Sequence, residues 1–108
     1  MDIEAIHQEA TKAAEQAAEA SLARMGGDRG ACGFAWVTIH GVSLATRQGR
    51  EFKRLGFSKG YGRGAGIELW NPSRSPVQNI DAKEAGAQAY AAVFKRNGFT
   101  AYANSRLD

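Results

Sequence analysis

Hydrophobic and polar positions divide the chain into segments of different period. Residues 2–25 contain eight alanines and neither glycine nor proline, and Gly26–Gly27 follows at once. That pattern predicts one long helix. Ile3, Ile6, Ala10, Ala13, Ala17 and Ala20 recur at spacings of three and four, with Ala14, Ala18, Leu22 and Met25 in a row beside them. The apolar stripe is therefore shallow, suited to close packing on a neighbour or to pairing with a second copy of the chain. Cys32–His40 is rich in aromatic and β-branched residues and reads as a strand. Alternation puts Phe34 and Trp36 on one face and Ala35, Val37 and Ile39 on the other. Both faces are apolar in the middle, which predicts a central strand covered on both sides.

Two hexapeptides, Phe52-Lys-Arg-Leu-Gly-Phe57 and Phe94-Lys-Arg-Asn-Gly-Phe99, share one design. Cations in a last helical turn complement the negative end of the helix dipole, and a glycine then supplies the left-handed residue. The Schellman geometry pairs Phe57 with Phe52 and Phe99 with Phe94. One helix is thus predicted from about Leu44 or Arg47 to Leu55, and another from Ala82 to Asn97. Asp81 and Glu84 are spaced as a capping box for the latter. Gly86, inside that helix, implies that another backbone passes close by. Ile67–Asn71 and Phe99–Ser105 alternate as two further strands. In the first, Ile67 and Leu69 oppose Glu68 and Trp70. In the second, Phe99, Ala101 and Ala103 oppose Thr100, Tyr102 and Asn104. The expected architecture is a single compact α+β domain over 1–108, in the order α-β-α-β-α-β, with a three-stranded sheet packed with three helices. Residues 1–29 form its alanine-rich helix and turn, and 30–108 the sheet with two helices.

Composition narrows this picture only slightly. With 108 residues and one cysteine, the chain has no internal disulfide framework and no Cys-based zinc cluster. Its apolar runs are too short for a spanning helix, and the acidic, alanine-rich start does not read as a secretory signal. Charge is more informative. The net +3 resolves into −3 over residues 1–29, +5 over 30–80 and +1 over 81–108. The basic middle could meet an anionic partner through Arg47, Arg50, Arg54, Lys59 and Arg63.

Catalytic patterns are scarce. The histidines are His7 and His40, and Cys32 and His40 at the two ends of one strand would lie about 27 Å apart. No metal-ligand spacing and no nucleophile elbow is present, so neither catalysis nor a metal or cofactor is expected. The glycine-rich run 60–66 follows a helix and leads into a strand, the reverse of a dinucleotide-binding fingerprint. It reads as a basic loop in which Lys59, Tyr61 and Arg63 could touch an anionic or stacked ligand.

Trp70-Asn-Pro-Ser-Arg-Ser-Pro-Val-Gln-Asn-Ile-Asp81 combines a large aromatic with Asn71, Ser73 and Gln78, the ingredients of a site for a planar polar ligand such as a nucleobase. Trp36 offers a second stacking surface, and Arg106 near the other end of the chain suits a phosphate or carboxylate.

Ala31-Cys-Gly-Phe-Ala-Trp-Val37, Trp70-Asn-Pro-Ser73, Gln78-Asn-Ile-Asp-Ala-Lys-Glu-Ala-Gly-Ala87 and Ser105-Arg-Leu-Asp108 together resemble a family of small proteins encoded by tailed bacteriophages. The resemblance implies a protein of the host bacterial cytoplasm and carries no catalytic residues. Small accessory phage proteins resemble inhibitors of host defence. The leading expectation is therefore a non-enzymatic protein that sequesters or inhibits a host-defence component, most concretely a nucleotide signal. Trp36, Trp70, Asn71, Ser73, Gln78 and Arg106 would form its site, and the basic segment would neutralise phosphate. Alternatives are an anti-CRISPR-like inhibitor of a defence protein and a basic nucleic-acid-binding module. No membrane partner is expected, and the first helix leaves room for a homo-oligomer.

Overall fold

The computed structural model describes residues 2–27, 30–61, 65–76 and 78–108. Its elements run α1 (Ile3–Met25), β1 (Gly33–His40), α2 (Arg47–Arg54), β2 (Ser58–Lys59), β3 (Ile67–Trp70), α3 (Ile80–Arg96) and β4 (Thr100–Leu107). The four strands lie in the order β2-β3-β1-β4, and every neighbouring pair is antiparallel. After α1, this order has the connectivity of the split βαβ motif. The sheet has one strand more than the pattern predicts. β2 is two residues long, too short to leave an alternation that a sequence reading can detect.

α3 packs across β1 and β4, and α1 packs along α3. The core between helices and sheet holds Ala35, Val37, Ile39, Ile67 and Ala101 from the strands. Phe52, Phe57, Tyr90 and Phe94 face them from the helical side. α1 buries Ile3, Ile6, Ala10, Ala14, Ala18 and Ser21. Its stripe follows the second alanine row toward the C-terminus and leaves Ala20 exposed, correcting the predicted stripe. The close approach expected at Gly86 is present: a Cβ there would meet Ser73 Cβ at 2.7 Å and the Ala14 carbonyl oxygen at 3.3 Å. A small residue at this crossing lets α1 sit near α3.

Both Schellman caps form as predicted. Phe57 N–H donates to the Phe52 carbonyl and Gly56 N–H to that of Lys53, both at 3.1 Å. Phe99 and Gly98 repeat the arrangement on Phe94 and Lys95, at 3.1 and 3.0 Å. Gly56 and Gly98 have φ of 107° and 91°, in the left-handed region that favours glycine. The paired rings meet edge to face, with centroids 5.1 Å apart for Phe52–Phe57 and 5.4 Å for Phe94–Phe99. Phe52 also meets Phe94 and Phe99, which ties the two caps into one aromatic cluster.

One helix start agrees with expectation and the other differs. α2 begins at Arg47, capped by Thr46 Oγ1, which accepts from Gly49 N–H. α3 begins two residues before the predicted start, because Asn79 rather than Asp81 is its cap and accepts from Ala82 N–H at 2.8 Å. A bridge between Cys32 and Asn79, with Ile80 N–H donating to the Ala31 carbonyl, holds the preceding chain extended. Asp81 then lies in the first turn, where its charge complements the dipole.

A half-buried histidine and a buried tyrosine fasten α1 to α3. His7 Nδ1 lies 2.7 Å from Tyr90 Oη, and the rings meet edge to face. Burial and the nearby Arg74 guanidinium lower the His7 pKa from its ordinary value. The neutral ring shares a hydrogen bond with the Tyr90 hydroxyl, and burial raises the tyrosine pKa and keeps the phenol protonated. A histidine whose folded pKa lies below its unfolded value stabilises the fold above the unfolded pKa, near 6.5. That contribution is lost as pH falls through the folded value. Urea unfolding at pH 7 and pH 5 is expected to show lower stability at pH 5, with the difference reduced in His7→Gln.

Candidate functional site

The strand alternation read from the sequence is correct, but its consequence is reversed. Since α1 lies on α3, both long helices are on one side of the sheet, and no described element covers the other. β1 is central in the sheet and covered on one face only, which corrects the expectation of cover on both. The open face carries Phe34, Trp36, Thr38 and His40 from β1, Glu68 and Trp70 from β3, and Thr100, Tyr102, Asn104 and Arg106 from β4. Phe34, Trp70 and Tyr102 are large, apolar and exposed there, Trp70 to 42%. A soluble domain rarely leaves so many aromatic surfaces together in water.

Register brings the two tryptophans together. Asn71 N–H donates to the Ala35 carbonyl at 2.9 Å, so Ala35 and Asn71 form a hydrogen-bonded pair of the β1–β3 ladder. The next pair, Trp36 and Trp70, is then a non-hydrogen-bonded pair, the position where opposed side chains come closest. Their rings stack with centroids 4.5 Å apart and planes 14° from parallel. Phe34 meets Trp70 edge to face at 6.2 Å. The Arg106 guanidinium leans over both, 5.4 Å from the Phe34 ring and 5.9 Å from that of Trp70. Trp70 Nε1 points to Glu68 Oε1 at 3.5 Å, and Asn104 Nδ2 donates to Thr38 Oγ1 at 2.9 Å. His40 and Tyr102 meet edge to face at the other end. Lys95, from α3 behind the sheet, reaches past the β4 edge to place Nζ 5.7 Å from the Tyr102 ring. A lysine there also blunts the free edge.

Of the expected site residues, Trp36, Trp70 and Arg106 are brought together. Asn71 and Ser73 serve the turn instead. Asn71, at φ 47°, donates from Nδ2 to the Ser75 carbonyl, and buried Ser73 Oγ accepts from Ser75 N–H. Gln78 is exposed at the end of the loop, and its carbonyl accepts from Gly33 N–H at 3.2 Å.

The expected cations lie elsewhere. Arg47, Arg50 and Arg54 are on α2, whose Phe52 is buried against Phe94 on the helical side, so they do not share the face with the tryptophans. Arg54 lines a groove with Asp2, Glu4 and Glu51, whose carboxylates compete with any anion there. Lys59, on β2, lines another groove with Ser43, Gly60 and Ala65. Arg63 lies outside the described residues.

The strand alternation put Phe34 beside Trp36 and Tyr102 beside Asn104, but the sequence reading named neither as a site residue, nor Lys83, whose Nζ lies near the Phe34 ring. Phe34 and Tyr102 were detectable as outward positions of the strands, once one face of the sheet is known to be bare. Lys83 gave no signal, because it lies on a helix behind the sheet.

Among the described residues no helix is long and apolar enough to cross a membrane, and no cluster of His, Cys, Asp and Glu is placed to hold a metal ion. Cys32 is exposed and His40 stands at the opposite end of β1. The chemistry that the open face offers is stacking, hydrogen bonding and cation contact. No family model, curated protein or solved structure matches the chain.

Proposed function

We propose that the chain binds single-stranded nucleic acid through the open face of its sheet, with bases added to the Trp36–Trp70 stack. The observation that carries this reading is the stacked tryptophan pair on a solvent-facing sheet, bordered by Phe34, Tyr102 and the Arg106 guanidinium. Four-stranded sheets that present aromatic rings on an open face take unpaired bases this way, since every base has a π-face to stack. A duplex hides those faces. The grooves near Arg54, Lys59 and Arg74 are lined by none of Trp36, Trp70 or Arg106. An open platform of this kind suits a strand that lies across it better than a lone nucleotide, which gains most from enclosure. On the bacteriophage resemblance, such binding would act by sequestering a host-defence nucleotide or strand.

Both tryptophans of the chain stand on this face, so their fluorescence reports on it directly. Titration with a short oligothymidylate is expected to quench that emission. A duplex of the same length should not, and thymidine monophosphate should act only at far higher concentration. Quenching by the monophosphate at equal concentration would favour a nucleotide-binding protein. No quenching by any of the three at millimolar concentration would remove the reading.

A further inference from the structure

We propose that Lys83 and Arg106 form a phosphate subsite at the Phe34–Trp70 end of the open face. The proposal deepens the reading above and rests on it for the identity of the ligand. Lys83 is the fourth residue of α3 and is only 8% exposed, yet it is a lysine. Its Nζ donates to the Gly33 carbonyl at 3.0 Å and stands 5.7 Å from the centre of the Phe34 ring.

The route of this side chain follows from the ladder. Gly33 N–H donates to the Gln78 carbonyl, so the polar groups of Gly33 point away from β4, into the space beyond the end of β3. Lys83 therefore reaches Phe34 from the β3 side. Arg106 is the cross-strand partner of Phe34 on β4, and it leans back across that ring toward Trp70. Two cations thus approach one junction from opposite sides of β1.

Neither has a carboxylate of the described residues within ion-pair distance. Among the described residues the one ion pair is Arg96–Glu9, on the helical side. An ammonium withdrawn from water with one carbonyl and one ring face as partners is an unfavourable arrangement, more so near the positive end of a helix. An anion at the junction would compensate both charges. A phosphate of a strand whose bases stack on Trp70 and Trp36 lies within reach, and it supplies oxygens to both donors.

Three probes test the subsite on the full chain: a short oligothymidylate, its uncharged methylphosphonate analogue and inorganic tripolyphosphate, which has no base. Lys83→Met keeps the length and burial of the side chain, and thermal unfolding confirms that it folds. It is expected to bind the oligothymidylate about tenfold more weakly. Its plot of log affinity against log salt should be shallower by about 0.7, the loss of one phosphate contact. Lys83→Arg should restore both. The methylphosphonate strand should bind wild type and Lys83→Met alike. Tripolyphosphate should raise the melting temperature of the wild type and not that of Lys83→Met. An unchanged affinity and slope in Lys83→Met, with binding still lost in Trp70→Ala, overturns the subsite and leaves the base platform standing. A tripolyphosphate shift that needs Lys83, without any oligothymidylate binding, keeps the subsite and removes the platform. If neither probe binds, both fall.

Discussion

Trp70→Ala is expected to weaken binding of a short oligothymidylate by roughly 5- to 150-fold, the equivalent of about 1–3 kcal/mol for one lost base stack. Trp70 is exposed on the bare face and supports no part of the core, so the fold should survive the change. What the fold loses is the cross-strand contact with Trp36, an aromatic pair worth about 0.5–1.5 kcal/mol. Binding and stability are thereby separable by experiment. Fluorescence anisotropy of a labelled strand measures the first, and urea unfolding the second. Trp70→Phe, which keeps a smaller stacking surface, should fall between the wild type and the alanine variant. Equal affinity in all three would mean that the tryptophan pair serves only to fasten β1 to β3, and the proposed function would lose its main support.

The second large effect concerns the helical side. Phe52→Ala is expected to destabilise the domain by about 3–5 kcal/mol, the range for removing a fully buried phenylalanine. Phe52 is 0% exposed and contacts Phe57, Phe94 and Phe99 at centroid distances between 5.1 and 5.8 Å. It is also the residue whose carbonyl accepts the Phe57 N–H in the cap of α2. Against a total of about 5–15 kcal/mol for a natural domain, such a loss removes a large share of the stability. A fall in Tm of more than roughly 10 °C by circular dichroism follows for a domain of this size. Phe99→Ala, at a half-buried position packed on the same cluster, should cost less. An effect of Phe52→Ala no greater than that of an exposed substitution would contradict the packing described here.

These two results would probe opposite sides of one sheet, and the two sides were legible in the sequence to different degrees. The helical side was mostly readable. α1 followed from an alanine-rich run closed by Gly26–Gly27, and both caps from the Phe-Lys-Arg-x-Gly-Phe pattern, because a Schellman cap is made within six consecutive residues. The inward and outward positions of β1, β3 and β4 followed from the period of two. The cap of α3 did not. Asp81 satisfies the local rule, but Asn79 takes the role because residues 31 and 32, far away in sequence, hold the chain extended up to that point.

Taken alone, then, the order of residues determined which segments coil, which extend, how two helices end and which side chains share a strand face. Those features depend on hydrogen bonds and sterics between near neighbours. Only the tertiary structure decided that the Phe34–Trp36 face stays bare, because that depended on α1 docking on α3 rather than on the sheet. It also decided that Trp36 stands opposite Trp70 and that Arg106 meets Phe34, since register joins strands more than thirty residues apart. The same long-range packing set the basic residues of α2 on the far side and drew Lys83, silent in the sequence, to the edge of the aromatic face.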